Sequence, residues 1–215
     1  MSAQVLTEAI PKRGTLAYLE VFPNEILTMS IDEYWKNELK NEYKSEFYKN
    51  KVTAIMPYTS QPHNDIISNL ILTLKPWARE RGWILAHENR PIWITACELN
   101  TYPDVFIVEK SESFARQGHP LSEAAPSVII EVLSPSTEGY DKGKKLRCYR
   151  QIPSLKQIIL VSQNEPTVDV YQKNDNNEWI YFDVSGLDKE LIITGKSVPL
   201  SDIYLDIDFQ AVVED

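Results

Sequence analysis

Two acids and a lysine stand where ordinary packing does not call for them. Glu131 sits in the middle of "SVIIEVLSPST" (127–137), a run with the apolar content of a buried strand. In a strand, successive side chains alternate faces, so Val128, Ile130 and Val132 point one way while Ile129, Glu131 and Leu133 point the other. An unpaired carboxylate between two apolar neighbours costs several kcal/mol, so Glu131 must be protonated, paired or bound to a cation. A second acid, Asp104, follows Pro103 at the mouth of the apolar run Val105–Val108. Carboxylates at adjacent strand ends make the oxygen-rich pocket that Mg²⁺ prefers, with water and substrate phosphate completing its shell. Further along, Asp141, Lys145 and Tyr149 recur at i, i+4, so one helix face carries an acid, an ammonium and a phenol.

These residues need strands and helices to position them. Ser30 and Glu33 in "SIDEYWKNEL" have the spacing of a helix cap, which predicts a short helix from Ile31. "SEFYKNKVTAI" reads as a hairpin turning at Lys49 and Asn50, where Asn tolerates a left-handed backbone. From Asn64, the residues Ile66, Ile67, Leu70, Ile71 and Leu74 recur at helical spacing; Pro76 should kink or divide that helix before Gly82 ends it. Strands are expected at Trp83–Ala86, Ile92–Ile94, Val105–Val108 and Val128–Val132. A second amphipathic helix is expected over about Asp141–Gln151, with Leu146, Tyr149 and Ile152 inward. "KQIILVSQNEPTVDVYQK" and "EWIYFDV" add strands. The order of elements predicts an α/β chain of mixed α+β character, a mixed sheet with helices packed on it.

The 215 residues suit one domain with appendages. Residues 1–29 read as a lead-in that is weakly ordered or packed at an edge, 30–205 as the main domain and 206–215 as an acidic tail. With 43% hydrophobic and 25% charged residues the chain has an ordinary globular composition. No apolar run approaches the roughly 20 residues that cross a bilayer, and the first residues have no signal-peptide pattern, so no membrane partner and a cytoplasmic location are expected. Cys97 and Cys148 lie in no C-x-x-C spacing, which predicts reduced packing residues rather than a zinc site or a disulfide. The net charge of −9 opposes generic coating of nucleic acid. A local basic stretch, "DKGKKLRCYR", nevertheless gathers Lys142, Lys144, Lys145, Arg147 and Arg150, either a solvated face or a set of contacts to a DNA backbone.

Taken together, "TYPDVFIVEK" and "PSVIIEVLSPSTEGYDKGKKLRCYRQIPSLKQIILVSQ" resemble the Uma-type restriction endonuclease family of the PD-(D/E)xK nuclease superfamily. "SEFYKNKVTAIMPYTSQPHNDIISNLILTL" resembles its N-terminal hairpin and H-x-x-I helix, and "VDVYQKNDNNEWIYFDVSGLDKELIIT" its C-terminal strands, so the likeness covers about 30 to 205. The resemblance implies a restriction-endonuclease-like central mixed sheet flanked by helices. It also implies hydrolysis of phosphodiester bonds in duplex or branched DNA, with Mg²⁺, or Mn²⁺ as a substitute, held by Asp104 and Glu131. A lysine would orient the attacking water and stabilise charge on the phosphate. That lysine usually lies two residues after the glutamate, where this chain has Leu133. Lys145, in the family's D-x-x-x-K-x-x-x-Y position, takes the role, with Lys144 as its rival. Glu46 matches the family's N-terminal acid and a place in the metal's shell. The family's turn glycine is Asn50 here.

The supporting residues have plainer readings too. His63 is either a structural histidine near the site or a general base, Asp141 a helix cap or an orienting partner, and Tyr149 a core residue whose hydroxyl seeks a polar partner. A homodimer is expected, because cutting both strands of a duplex commonly uses two sites. Two alternatives to an active nuclease remain. One is a catalytically inactive nucleic-acid-binding or interaction module with the nuclease fold, and the other a glycosidase using two carboxylates, in which Lys145 has no task.

Overall fold

The computed structural model describes residues 15–38, 44–55, 59–109, 115–116, 119–123, 125–135 and 137–209. Residues 1–14 of the lead-in and 210–215 of the acidic tail lie outside the described residues. The chain forms two compact units, Met1–Pro57 and Tyr58–Asp215. Among the described residues no helix is long and apolar enough to cross a membrane.

In the N-terminal unit, helix α1 (Leu16–Val21) and strand β1 (Leu27–Thr28) precede helix α2 (Ile31–Glu38), and strands β2 (Ser45–Tyr48) and β3 (Lys51–Ala54) follow. The Ser30 hydroxyl accepts the Glu33 amide at 3.3 Å, the cap that the spacing predicts. β2 and β3 pair antiparallel with Phe47 opposite Val52, and Leu27 of β1 faces Val52 from the other side. The turn uses Lys49 at φ 46° and Asn50 at φ 65°. Two consecutive left-handed residues make the turn that matches strand twist, at a steric cost for the lysine.

The second unit opens with helix α3 (Gln61–Glu80), whose N-terminus is capped by the Ser60 side chain accepting the His63 amide. Of the two expected effects of Pro76, a kink or a division, division does not occur: the helix runs through it to Glu80. Proline there costs the bond to the carbonyl of Leu72, and Leu72 is 74% exposed, so water can serve the freed group. Gly82, at φ 68°, follows the cap residue Arg81.

A six-stranded sheet is the frame of this unit. Its strands are β4 (Ile84–His87), β7 (Val105–Val108), β10 (Val128–Leu133), β11 (Gln157–Ser162), β12 (Thr167–Lys173) and β13 (Trp179–Ser185), in the order β13-β12-β11-β10-β7-β4. Only β10 and β11 run parallel; the other neighbours in this sheet are antiparallel, so it is mixed as expected. On one face Val105, Ile107, Val128, Ile130, Val132, Ile159 and Val161 bury against Ile66, Ile67, Leu70, Leu74 and Trp77 of α3. The hairpin of β14 (Glu190–Ile193) and β15 (Lys196–Pro199) and the helical turn Leu200–Ile203 close the same core. Strands β5 (Ile92–Ile94), β6 (Leu99–Thr101), β8 (Ala115–Arg116) and β9 (His119–Glu123) form further pairs: β5 is antiparallel to β6 and parallel to β9, and β8 is antiparallel to β9.

The second amphipathic helix begins earlier than expected. An α-turn over Glu138–Tyr140 leads into a widened π-type turn over Asp141–Lys145, and ordinary helix resumes over Leu146–Tyr149. Leu146, Tyr149 and Ile152 are buried, as the periodicity requires. The expectation of reduced cysteines is overturned. Cys97, in the 3₁₀ turn Thr95–Cys97 between β5 and β6, is disulfide-bonded to Cys148 of this helix, with Cα atoms 5.8 Å apart. Sequence spacing could not reveal the pair, because tertiary packing alone brings the turn to the helix.

Candidate active site

The site forms where β7 stops pairing with β10. The ladder pairs Val128 with Ile107, Ile129 with Phe106 and Ile130 with Val105, and there it ends. Pro103 has no amide to donate, which suits a strand that begins just after it. Asp104 takes over the vacant place: its Oδ2 accepts the backbone N–H of Val132 at 2.6 Å. Its own amide lies 3.4 Å from Glu131 Oε2. The two acids thus meet at the sheet's rim.

Glu131 is 2% exposed, on the face of β10 opposite the α3 core, as strand alternation requires. Its Oε1 is met by two donors from the helix 138–149. The Lys145 ammonium lies 3.1 Å away and the Tyr149 hydroxyl donates a hydrogen bond. Lys145 also lies 3.1 Å from Asp141 Oδ1, close enough for an ion pair, though that oxygen has no partner of good hydrogen-bond geometry. Burial pushes the Glu131 carboxyl up to about 8, with the charges of Asp104 and Asp141 adding to the effect and Lys145 and the Tyr149 hydrogen bond opposing it. Burial, with the Glu131 charge, also holds the Tyr149 phenol well above its usual range, so it stays a donor.

On the other side, His63 from the first turn of α3 places Nε2 3.5 Å from Asp104 Oδ2. Burial pulls this imidazole down, but the hydrogen bond and charge of Asp104, with Glu88 beyond, outweigh it and the net shift is upward. His63 Nδ1 is buried without a hydrogen-bond partner.

Asp104, Glu131, Asp141, Lys145, Tyr149 and His63 therefore come together. The lysine that meets Glu131 is Lys145, whereas Lys144 lies over the Tyr140 ring at 5.0 Å. Lys142 is held at 3.0 Å by Glu138 and at 3.1 Å by Asp169, a second partner that nothing in the basic run foretells. Arg147 and Arg150 are exposed. Glu46 belongs to the N-terminal unit, on β2 opposite Thr53. Tyr140, whose ring is 5.9 Å from the Lys145 ammonium, escaped sequence reasoning, since a tyrosine in a basic stretch looks like any other surface aromatic.

Among the described residues no group of three or more His, Cys, Asp or Glu is arranged to hold a metal ion. The donor set is instead two hard carboxylates, one 2% exposed and one with a side chain 17% exposed. Glu131 Oε2 has the long contact from the Asp104 amide, and this pair fits Mg²⁺, which takes one or two protein carboxylates and keeps its remaining positions for water and phosphate.

Comparison with known proteins agrees with this frame. Two Synechocystis sp. proteins, the uncharacterized sll1609 and slr1290, are each 31% identical, over 171 and 188 residues, covering 80% and 84% of this chain and 94% of each relative. The crystal structure of a "putative nuclease belonging to DUF820" from Anabaena variabilis superposes with a TM-score of 0.63 at 18% identity, covering 79% of this chain and 96% of that one. That likeness establishes the fold. The family described as "Putative restriction endonuclease", Uma2, matches residues 31–199, a span that holds the Asp104, Glu131 and Lys145 cluster, and this chain belongs to it.

Proposed function

We propose that this chain is a Mg²⁺-dependent endodeoxyribonuclease that hydrolyses phosphodiester bonds. The observation that carries the reading is the cluster at the rim: a buried glutamate, an adjacent aspartate and one ammonium at 3.1 Å. Asp104 and Glu131 would hold Mg²⁺ or Mn²⁺, and the ion supplies Lewis acidity toward the phosphate. Lys145 orients the attacking water and offsets negative charge as it grows on the phosphate oxygens. Tyr149 fixes the Glu131 carboxyl, and His63 holds the Asp104 carboxyl. Exposed Arg147 and Arg150 contact the DNA backbone together with Lys144; Lys142 joins them only by leaving Glu138 and Asp169. A homodimer brings two such sites to a duplex.

The test is plasmid nicking with Mg²⁺ or Mn²⁺ by the wild type and by Asp104→Asn, Glu131→Gln and Lys145→Met. Each substitution should lower the rate by roughly a hundredfold or more. Equal nicking by all four proteins would end the assignment.

One observation favours a second reading. Lys145 already lies against two carboxylates, as it would in a closed structural ion pair. A binding module that kept the fold and lost turnover would bind DNA in a salt-sensitive way and cut nothing at any metal concentration.

A further inference from the structure

The disulfide lies beside the groups that hold Glu131. Cys148 immediately precedes Tyr149, whose hydroxyl donates to Glu131, and sits about one helical turn after Lys145, whose ammonium does the same. Its partner Cys97 is in a different setting. Thr95 and Ala96 of its turn are exposed and Cys97 is partly exposed, whereas Cys148 is 3% exposed. The residue that carries one sulfur thus reaches the surface, and the residue that carries the other is held in the interior.

The helix it ties down has little strength of its own. The segment 138–149 falls at the short margin for an isolated helix, and its middle turn, Asp141–Lys145, is π-type rather than α. Its position rests on tertiary ties. Among the described residues these include the contacts to Glu131, the ion pair from Lys142 to Asp169, the buried side chains of Leu146 and Tyr149, and the bond to Cys97.

We propose that Cys97–Cys148 is an exchangeable disulfide, opened by a dithiol donor, whose redox state sets how firmly the helix 138–149 holds Lys145 and Tyr149 on Glu131. A donor thiolate attacks Sγ of Cys97, the more exposed of the two residues; the S–S bond breaks and Cys148 leaves as a thiolate that takes up a proton. The donor's second thiolate then attacks its own sulfur in the mixed disulfide and releases Cys97 as a thiolate, which is protonated in turn. Two electrons pass to the protein and the donor becomes a disulfide. As regulation of the proposed nuclease site, the latch rests on the reading above, but its opening is measured without any cleavage.

The experiment uses the full chain purified without reductant, probed with dithiothreitol under native conditions. Thiol titration in denaturant should find no free thiol before treatment and two per chain after it, since the chain has two cysteines. Amide hydrogen exchange over 142–149 should quicken about tenfold in the reduced protein, and in Cys97→Ser, which leaves the buried Cys148 in place. Mn²⁺-dependent nicking should fall in the same two samples. Two free thiols at the outset, a disulfide that opens only on unfolding, or equal exchange in both redox states would overturn the latch. Faster exchange with no nicking in either state supports the latch and counts against the nuclease reading instead.

Discussion

Glu131→Gln offers a quantitative check on the electrostatics of the site. In EDTA, burial raises the folded carboxyl from its ordinary 4.5 to about 8, so the folded chain keeps a proton there that the unfolded chain releases. Stability from this group is therefore fully present below about pH 4.5, falls as pH rises, and is gone above about 8. The slope is about 1.4 kcal/mol per pH unit, and over a span of about 3.5 units the total comes to about 5 kcal/mol. The amide has nearly the same shape, can accept from Lys145 and Tyr149, and does not titrate. Urea unfolding of both proteins at several pH values across that window measures the difference. The stability of the wild type relative to the variant should decline as pH rises, with unchanged denaturant slopes. Parallel pH profiles would show that Glu131 is already ionised in the folded protein and refute the argument.

Four other outcomes are expected. Lys145→Met leaves the carboxyls of Glu131 and Asp141 without their cation and should cost roughly 3–5 kcal/mol of stability in mildly alkaline buffer, read from urea midpoints. Tyr149→Phe removes one donor from Glu131 and should cost about 1–3 kcal/mol, with a drop in nicking that added metal does not restore. Replacing both cysteines, Cys97→Ser with Cys148→Ala, opens a loop with a sequence separation of 51 and should lower the stability of the oxidised protein by about 4 kcal/mol on the chain-entropy view. Lys49→Gly relieves a left-handed lysine at φ 46° and should stabilise the N-terminal unit by about 1 kcal/mol, measured by thermal unfolding.

What depends on local pattern was legible along the chain. The strands Ile92–Ile94 and Val105–Val108 lie where their apolar runs place them, and Ser30 caps a helix that starts at Ile31. Alternation in β10 puts Glu131 on the face away from Ile130, and the i, i+4 spacing of Asp141, Lys145 and Tyr149 puts all three on one side of their helix. What depends on distant partners was not legible. Nothing near Cys97 announces Cys148, nothing near Lys142 announces Asp169, and the tolerance of Pro76 comes from the exposed flank of α3 rather than from its own neighbours. The π-type turn over Asp141–Lys145 also escaped, because residue spacing alone does not distinguish a widened turn from an α-turn.

The Asp104 carboxylate completes a backbone ladder as well as lining the rim, and this changes how substitutions there should be interpreted. Truncation to alanine would strip an acceptor from the amide of Val132 and loosen the strand next to Glu131, so lost cleavage could reflect a displaced neighbour as much as a missing ligand. Asparagine keeps an oxygen for that amide while discarding the charge. Comparing the two replacements separates the scaffolding duty of this side chain from its chemical one.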